Sequence, residues 1–124
     1  MVSEPIHIAV DTKFIGKQRK AQQDVFVFSY TVSITNLSET PMTLKSRYWL
    51  ITNGDGEKVE VSGDGVVGEQ PTIAPNQTYQ YTSASVMKTE VGNMQGHYTF
   101  ELENEQTYQA NIPIFRLATP HALH

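Results

Sequence analysis

Six residues in the middle of the chain, Gly63-Asp64-Gly65-Val66-Val67-Gly68, have the G-x-G-x-x-G spacing with which dinucleotide-binding proteins hold a pyrophosphate. That chemistry needs a strand before the glycines and a helix after them, because the helix N-terminus supplies the amides and the positive dipole end that face the phosphate. Here the next residues are Glu69-Gln70-Pro71, with Pro75 close behind, and two prolines at that spacing leave no room for a helix. What remains is a nest of backbone N–H groups that could take a small anion such as pyrophosphate, opposed by the like charge of Asp64 and Glu69. The same glycines also suit a loop of tight turns, or one that touches a protein. Arg47 joins the candidates because it stands in an apolar stretch beside Tyr48 and Trp49. A guanidinium there needs a carboxylate, backbone carbonyls, an aromatic face or an anionic ligand. Gly63, Gly65, Gly68 and Arg47 are therefore the candidate anion-binding residues.

The other side chains with chemical potential do not assemble. The histidines are His7, His97, His121 and His124. None forms an H-x-H or H-E-x-x-H pattern, and a zinc site needs three or four convergent ligands. His7 and His97 alternate with apolar neighbours, which puts them on the polar faces of strands. Asn53, Asp55 and Glu57 are spaced like half of a calcium loop, but the helical flanks and the later glutamate are missing. A hairpin turn accounts for them, and weak binding of a hard cation by scattered carboxylates stays open. Glu101 and Glu103 share a strand face beside Glu105, a pattern of solvated surface that discourages edge pairing rather than of an acid–base pair. There is no G-x-S-x-G elbow and no cysteine. The sequence thus reads as a non-enzyme that calls for no cofactor.

The net charge of −4 disfavours a nucleic-acid partner, because affinity for such polyanions comes from neutralising phosphates. Lys13, Lys17, Arg19 and Lys20 are a local exception, four of the nine basic residues in one stretch. They form either a solvated loop or a seat for an anionic partner. No apolar run reaches the roughly 18 residues of a membrane helix, so no membrane contact is expected. The start, Met1-Val2-Ser3-Glu4-Pro5, has no basic and apolar leader pattern. The lack of cysteine fits a reducing compartment, and a cytoplasmic location is expected.

The elements that must position these residues follow from a period of two. Ile6, Ile8, Val10 and Phe14 alternate with His7, Asp11 and Lys13, and residues 16–23 read as a polar, basic loop. Over residues 25–37, Phe26, Phe28, Tyr30, Val32 and Ile34 share one face, and Ser29, Thr31, Ser33 and Thr35 the other; aromatic and β-branched side chains suit such a half-buried pleat. Residues 36–41 supply turn chemistry. Met42 and Leu44 open a third strand whose Tyr48-Trp49-Leu50-Ile51 is apolar on both faces, which a bulge near Ser46 or burial on both sides would reconcile. Asn53-Gly54-Asp55-Gly56 signals a hairpin, with Val59 and Val61 on a short return strand. Residues 62–75, with five Gly or Pro, read as a long loop. Tyr79 and Tyr81, then Met94, Tyr98, Phe100 and Leu102, then Tyr108, Ala110, Ile112 and Ile114 mark further strands, the last placed on an edge by Pro113. About seven strands with no helical period give an all-β fold. It is an antiparallel β-sandwich of immunoglobulin or fibronectin type III character. One domain is expected over residues 1–124, with its core over about residues 6–117.

Arg47-Tyr48-Trp49-Leu50-Ile51, the block Gly65-Val66-Val67-Gly68-Glu69-Gln70-Pro71, Tyr81-Thr82-Ser83, Met94-Gln95-Gly96 and Ile112-Pro113-Ile114-Phe115 stand in this order. In these segments, and over nearly its whole length, the chain resembles the ApaG family. The resemblance implies a fibronectin type III-like sandwich in a small cytoplasmic bacterial protein. Similar domains are fused into eukaryotic F-box proteins and a DNA-polymerase-interacting protein, which implies a protein-interaction module. The family's other name, CorD, implies an association with cobalt and magnesium handling, and pyrophosphate or nucleotide binding has been suggested for its glycine loop. Tyr48 stands where the family usually has His, which weakens a metal or acid–base role there. Asn76 replaces a usual Gly after Pro75, a position where Asn also tolerates the left-handed conformation. The tail ends in Leu123-His124 rather than the usual Asn.

The resulting reading is a non-catalytic binding module for a protein partner, docked through an apolar surface around Trp49 or an unpaired sheet edge. The alternative is a phosphate, pyrophosphate or nucleotide binder using loop 63–68 and Arg47. Divalent-cation binding tied to magnesium and cobalt homeostasis is a third reading. Exposed sandwich edges also allow a homodimer.

Overall fold

Alternating apolar side chains fold here into eight strands, seen in a computed structural model that describes residues 4–122. They are β1 (Ile6–Lys20), β2 (Gln23–Asn36), β3 (Met42–Asn53), β4 (Lys58–Asp64), β5 (Thr72–Ile73), β6 (Thr78–Met87), β7 (Val91–Leu102) and β8 (Thr107–Ala118), followed by a single 3₁₀ turn, Pro120–Ala122. His124 lies outside the described residues. One sheet has the order β1-β2-β6 and the other β4-β3-β7-β8, with β5 added to β3; all pairings are antiparallel. The two layers make the expected fibronectin type III-like sandwich. The strand beyond the expected seven is the two-residue β5, too short to leave an alternation in the sequence.

Two segments whose composition predicts loops are partly strand. Residues 16–23 are the tip of the β1–β2 hairpin: β1 runs on to Lys20, β2 starts at Gln23, and Ala21 and Gln22 turn the chain with φ of 48° and 65°. Residues 17–20 are exposed throughout, so no buried face imposes an apolar alternation on them. The backbone ladder holds the tip, with a bulge at Ile15 between the Phe14–Phe28 and Gly16–Val27 pairs. Lys17 and Arg19 meet Asp24 at 4.0 and 3.4 Å, exposed pairs that contribute little to stability. Likewise, β4 continues through Asp64 and β5 follows at Thr72–Ile73, so residues 62–75 are only partly loop.

The face assigned to β2 is the buried one: Phe28, Tyr30, Val32 and Ile34 enter the core, with Phe26 packed at its margin. They meet Met42, Leu44 and Trp49 of β3, and Met94, Tyr98 and Phe100 of β7. The irregularity in β3 is a bulge at Lys45, between the Leu44–Phe100 and Ser46–Thr99 pairs. It reverses the alternation, so that Arg47, Trp49 and Ile51 share the face of their partners Tyr98, Gly96 and Met94. Pro113 lies as expected on an edge strand, β8, where Pro113 and Ile114 together face Gln95.

Asn36 does more than turn the chain. It is fully buried. Its Nδ2 donates to the carbonyls of Thr40 and Ile73 at 2.8 and 2.9 Å. Its Oδ1 accepts from the Ser38 amide and hydroxyl at 2.9 and 2.6 Å. One side chain thereby ties the end of β2 to β5. Asn36→Ala should cost about 2 kcal/mol, since it takes a donor from the buried Ile73 carbonyl as well as deleting the other bonds. A urea midpoint within error of the parent's would refute this account.

Candidate functional site

The β3 bulge brings Arg47 to the glycine loop. The Lys45 carbonyl accepts from the Gly65 amide at 2.8 Å and from Gln70 Nε2 at 2.9 Å, anchoring the loop to the bulge. Arg47 Nη1 donates to the carbonyls of Asp64 and Gly65 at 3.1 and 3.0 Å. Gly63 pairs with Arg47 across the ladder. A Cβ on Gly63 would lie 3.0 Å from both terminal guanidinium nitrogens. The partners sought for the guanidinium are thus backbone carbonyls.

The other two glycines have equally local reasons. Gly65 has a φ of 60°, and its Cβ would stand 2.0 Å from the Glu69 carbonyl oxygen. Gly68, at φ 81°, is the second central residue of a two-residue hairpin in which Val66 and Glu69 exchange 2.8 Å bonds. The structure therefore groups Arg47 with Gly63 and Gly65, and sets Gly68 at the tip of the turn. The amides of Gly65, Val66 and Glu69 are engaged within the protein, whereas those of Val67 and Gly68 donate to no backbone carbonyl of the loop. Val67 is the first central residue, with a φ of 41°. Both central residues of this turn type need positive φ, which a β-branched side chain resists. Val67→Asn should stabilise the fold by about 1 kcal/mol, read as a rise in melting temperature; a fall would show that the exposed valine makes contacts of its own.

On the outer face of the larger sheet, Tyr48 stacks on His97 with ring centres 5.0 Å apart. Its hydroxyl donates to Glu60 Oε2 at 2.7 Å, and that bond raises its pKa. The depression here, about 440 Å³, is bordered by Ser46, Arg47, Tyr48, Ser62, Gly63, Asp64 and His97. Among the described residues no hydrogen bond links a serine hydroxyl to His97, as an activated nucleophile would need. Nor do any three His, Asp or Glu side chains among them converge on a metal position, so the cobalt and magnesium association finds no donor set here.

Between the sheets the hydroxyls of Tyr81 and Tyr98 hydrogen-bond to each other. Burial pushes both phenols well above the ordinary value of 10.0. The unfolded chain gives up these protons near pH 10 and the folded one holds them. Stability is therefore whole below that pH and falls above it, by about 1.4 kcal/mol per pH unit for each tyrosine. Urea midpoints between pH 9 and 11 should decline accordingly, and less steeply in Tyr98→Phe; an equal slope in both would sink the assignment.

The apolar surface expected around Trp49 is not there, because Trp49 is 3% exposed and belongs to the core. Three of the exposed large apolar side chains, Val59, Val61 and Val86, stand further along, at an open side of the sandwich. Val59 and Val61 of β4 pair with Ile51 and Trp49, so they face inward, yet they are 57% and 38% exposed. The reason is the unequal width of the layers. β1 packs on β8, so the three-stranded sheet runs out at β6 and leaves β4 uncovered. Val86 and Met87 of β6 complete a groove of about 230 Å³ with Ile51 and Val59, bordered by Asn53, Glu57, Lys58 and Lys88. The alternation of Val59 and Val61 predicts only a return strand; the step between the two sheets leaves no local mark.

The profile of the ApaG domain family matches residues 16–102. Protein ApaG of Shewanella frigidimarina is 52% identical over 119 residues, 96% of this chain and 94% of that one. Protein ApaG of Salmonella arizonae is 48% identical over 125 residues, covering 100% of both. Among solved structures, a Bordetella pertussis protein described as ApaA superposes with a TM-score of 0.86 at 39% identity, over 93% of this chain and 94% of its own. An X-ray structure of a structural-genomics target superposes at 0.93 with 45% identity, over 97% and 91%. The chain belongs to the ApaG family.

Proposed function

We propose that this protein is a non-catalytic binding module of the cytoplasm that recognises a protein partner through the open side of its sandwich. The observation that carries this reading is the exposure of Val59 and Val61 on the inward face of β4, where the opposing sheet ends. Inward-facing apolar residues left uncovered by the fold mark a contact surface. A part in magnesium or cobalt homeostasis would then be exercised through the partner. The glycine loop supports a phosphate or nucleotide reading less well, because Arg47 already bonds two of its carbonyls.

The test is capture from the cytosol of the producing organism by immobilised parent protein and by the double variant Val59→Lys/Val61→Lys. A protein retained by the parent and lost by the variant is the expected result. Equal capture by both, or nucleotide turnover by the parent that Arg47→Ala abolishes without unfolding, would overturn the reading.

A further inference from the structure

Besides the two-residue β5, the described strands include four sheet edges, β1, β6, β4 and β8, and three of these four carry devices that discourage pairing. β1 has its bulge at Ile15 and the cations Lys13, Lys17, Arg19 and Lys20. β4 has Lys58, Glu60 and Asp64, and β8 has Pro113, Arg116 and a bulge. Charge, proline and bulges are how natural sheets blunt an edge. β6 has none of them. Its ten residues, Thr78–Met87, include no charged residue, proline or glycine. It pairs with β2 through ten residue pairs in unbroken register, and among the described residues no strand pairs with its other side.

We propose that β6 accepts an added antiparallel strand from the partner, which deepens the binding-module reading and rests on it. A strand laid beside β6 extends the narrower sheet by one, so its inward side chains roof Val59 and Val61. That fixes the chemistry of the occupant: an extended segment alternating apolar with small polar residues, apolar toward the groove. On the outer face, Thr31 and Thr82, and Thr35 and Thr78, join hydroxyls at 2.8 Å, a row that hydroxyl side chains of the new strand continue. Lys58 and Lys88 flank the groove against the single carboxylate of Glu57. The N-terminal end of an antiparallel strand lies beside Lys88, so acidic residues belong there.

The probe is an acetylated peptide of about nine residues, two glutamates followed by alternating valine and threonine. It is used against the full chain in three forms: unmodified, and N-methylated on one or the other alternate set of amides. Expected is slowed amide exchange, at least tenfold, at alternate residues of β6, with binding lost in one methylated form and kept in the other. The double variant Lys58→Glu/Lys88→Glu should bind at least tenfold more weakly. Equal binding of the two methylated forms, or no effect on β6 at millimolar peptide, overturns strand addition. A dimer whose β6 amides are protected without peptide gives the edge to a second copy and also overturns it. If cytosolic capture still depends on Val59 and Val61 while the peptide leaves β6 unchanged, the binding module stands and this mode of binding fails.

Discussion

Gly96→Ala should lower the stability of the fold by at least about 3 kcal/mol, the upper end of what overpacking costs. A Cβ at position 96 would stand 1.9 Å from the Tyr48 carbonyl oxygen, 2.9 Å from its carbon and 3.1 Å from the Trp49 Cα. All three are backbone atoms of β3, so no rotamer change relieves the clash. The β3–β7 ladder must part where Gly96 faces Trp49, next to the position where Pro113 and Ile114 already bulge against Gln95. The melting temperature should fall by roughly 10 °C or more. A loss under about 1 kcal/mol would mean that the two strands have room that these distances deny.

Much of this architecture was legible because burial on one face writes a period of two into the sequence. Phe28, Tyr30, Val32 and Ile34 show it most plainly, and all four are in the core. The bulge in β3 was legible for a related reason: the core positions are even at Met42 and Leu44 but odd at Trp49 and Ile51, and the extra residue at Lys45 puts all four on one face while Tyr48 stays on the other. Where no face is buried, the signal vanishes, and the β1–β2 tip read as a loop although its ladder runs to the Lys20–Gln23 pair.

The site was legible in its members and not in their relations. Arg47 announced a need for partners, but its acceptors, the carbonyls of Asp64 and Gly65, are 17 and 18 residues away. Composition cannot say that Gly63 is glycine so that a guanidinium can lie against it. Asn36 looked like a turn residue because its contact with Ile73 spans 37 residues. The open groove was hidden more completely. Val59 and Val61 alternate as a half-buried strand should, and only the count of strands in the opposite sheet leaves them in water.

Trp49→Ala should cost about 4 kcal/mol, a large share of the 5–15 kcal/mol of a typical domain. The indole meets Tyr30 at 5.5 Å, Phe115 at 5.8 Å and Tyr98 at 6.2 Å between ring centres, each edge to face or tilted near it. Tyr30 comes from β2 and the other two from β8 and β7, so one ring from β3 bridges both sheets. Alanine leaves a cavity that these rings, fixed on separate strands, can only partly fill. Trp49→Phe keeps some of the contacts and should cost about half as much. The chain has a single Trp, so unfolding of both variants is followed by circular dichroism. Val61 is the decisive contrast, since it lies directly across the ladder from Trp49. Val59→Lys/Val61→Lys should change stability by less than about 1 kcal/mol, because those side chains already face water. A double lysine variant as unstable as Trp49→Ala would place the two valines in the core and remove the surface on which partner recognition depends.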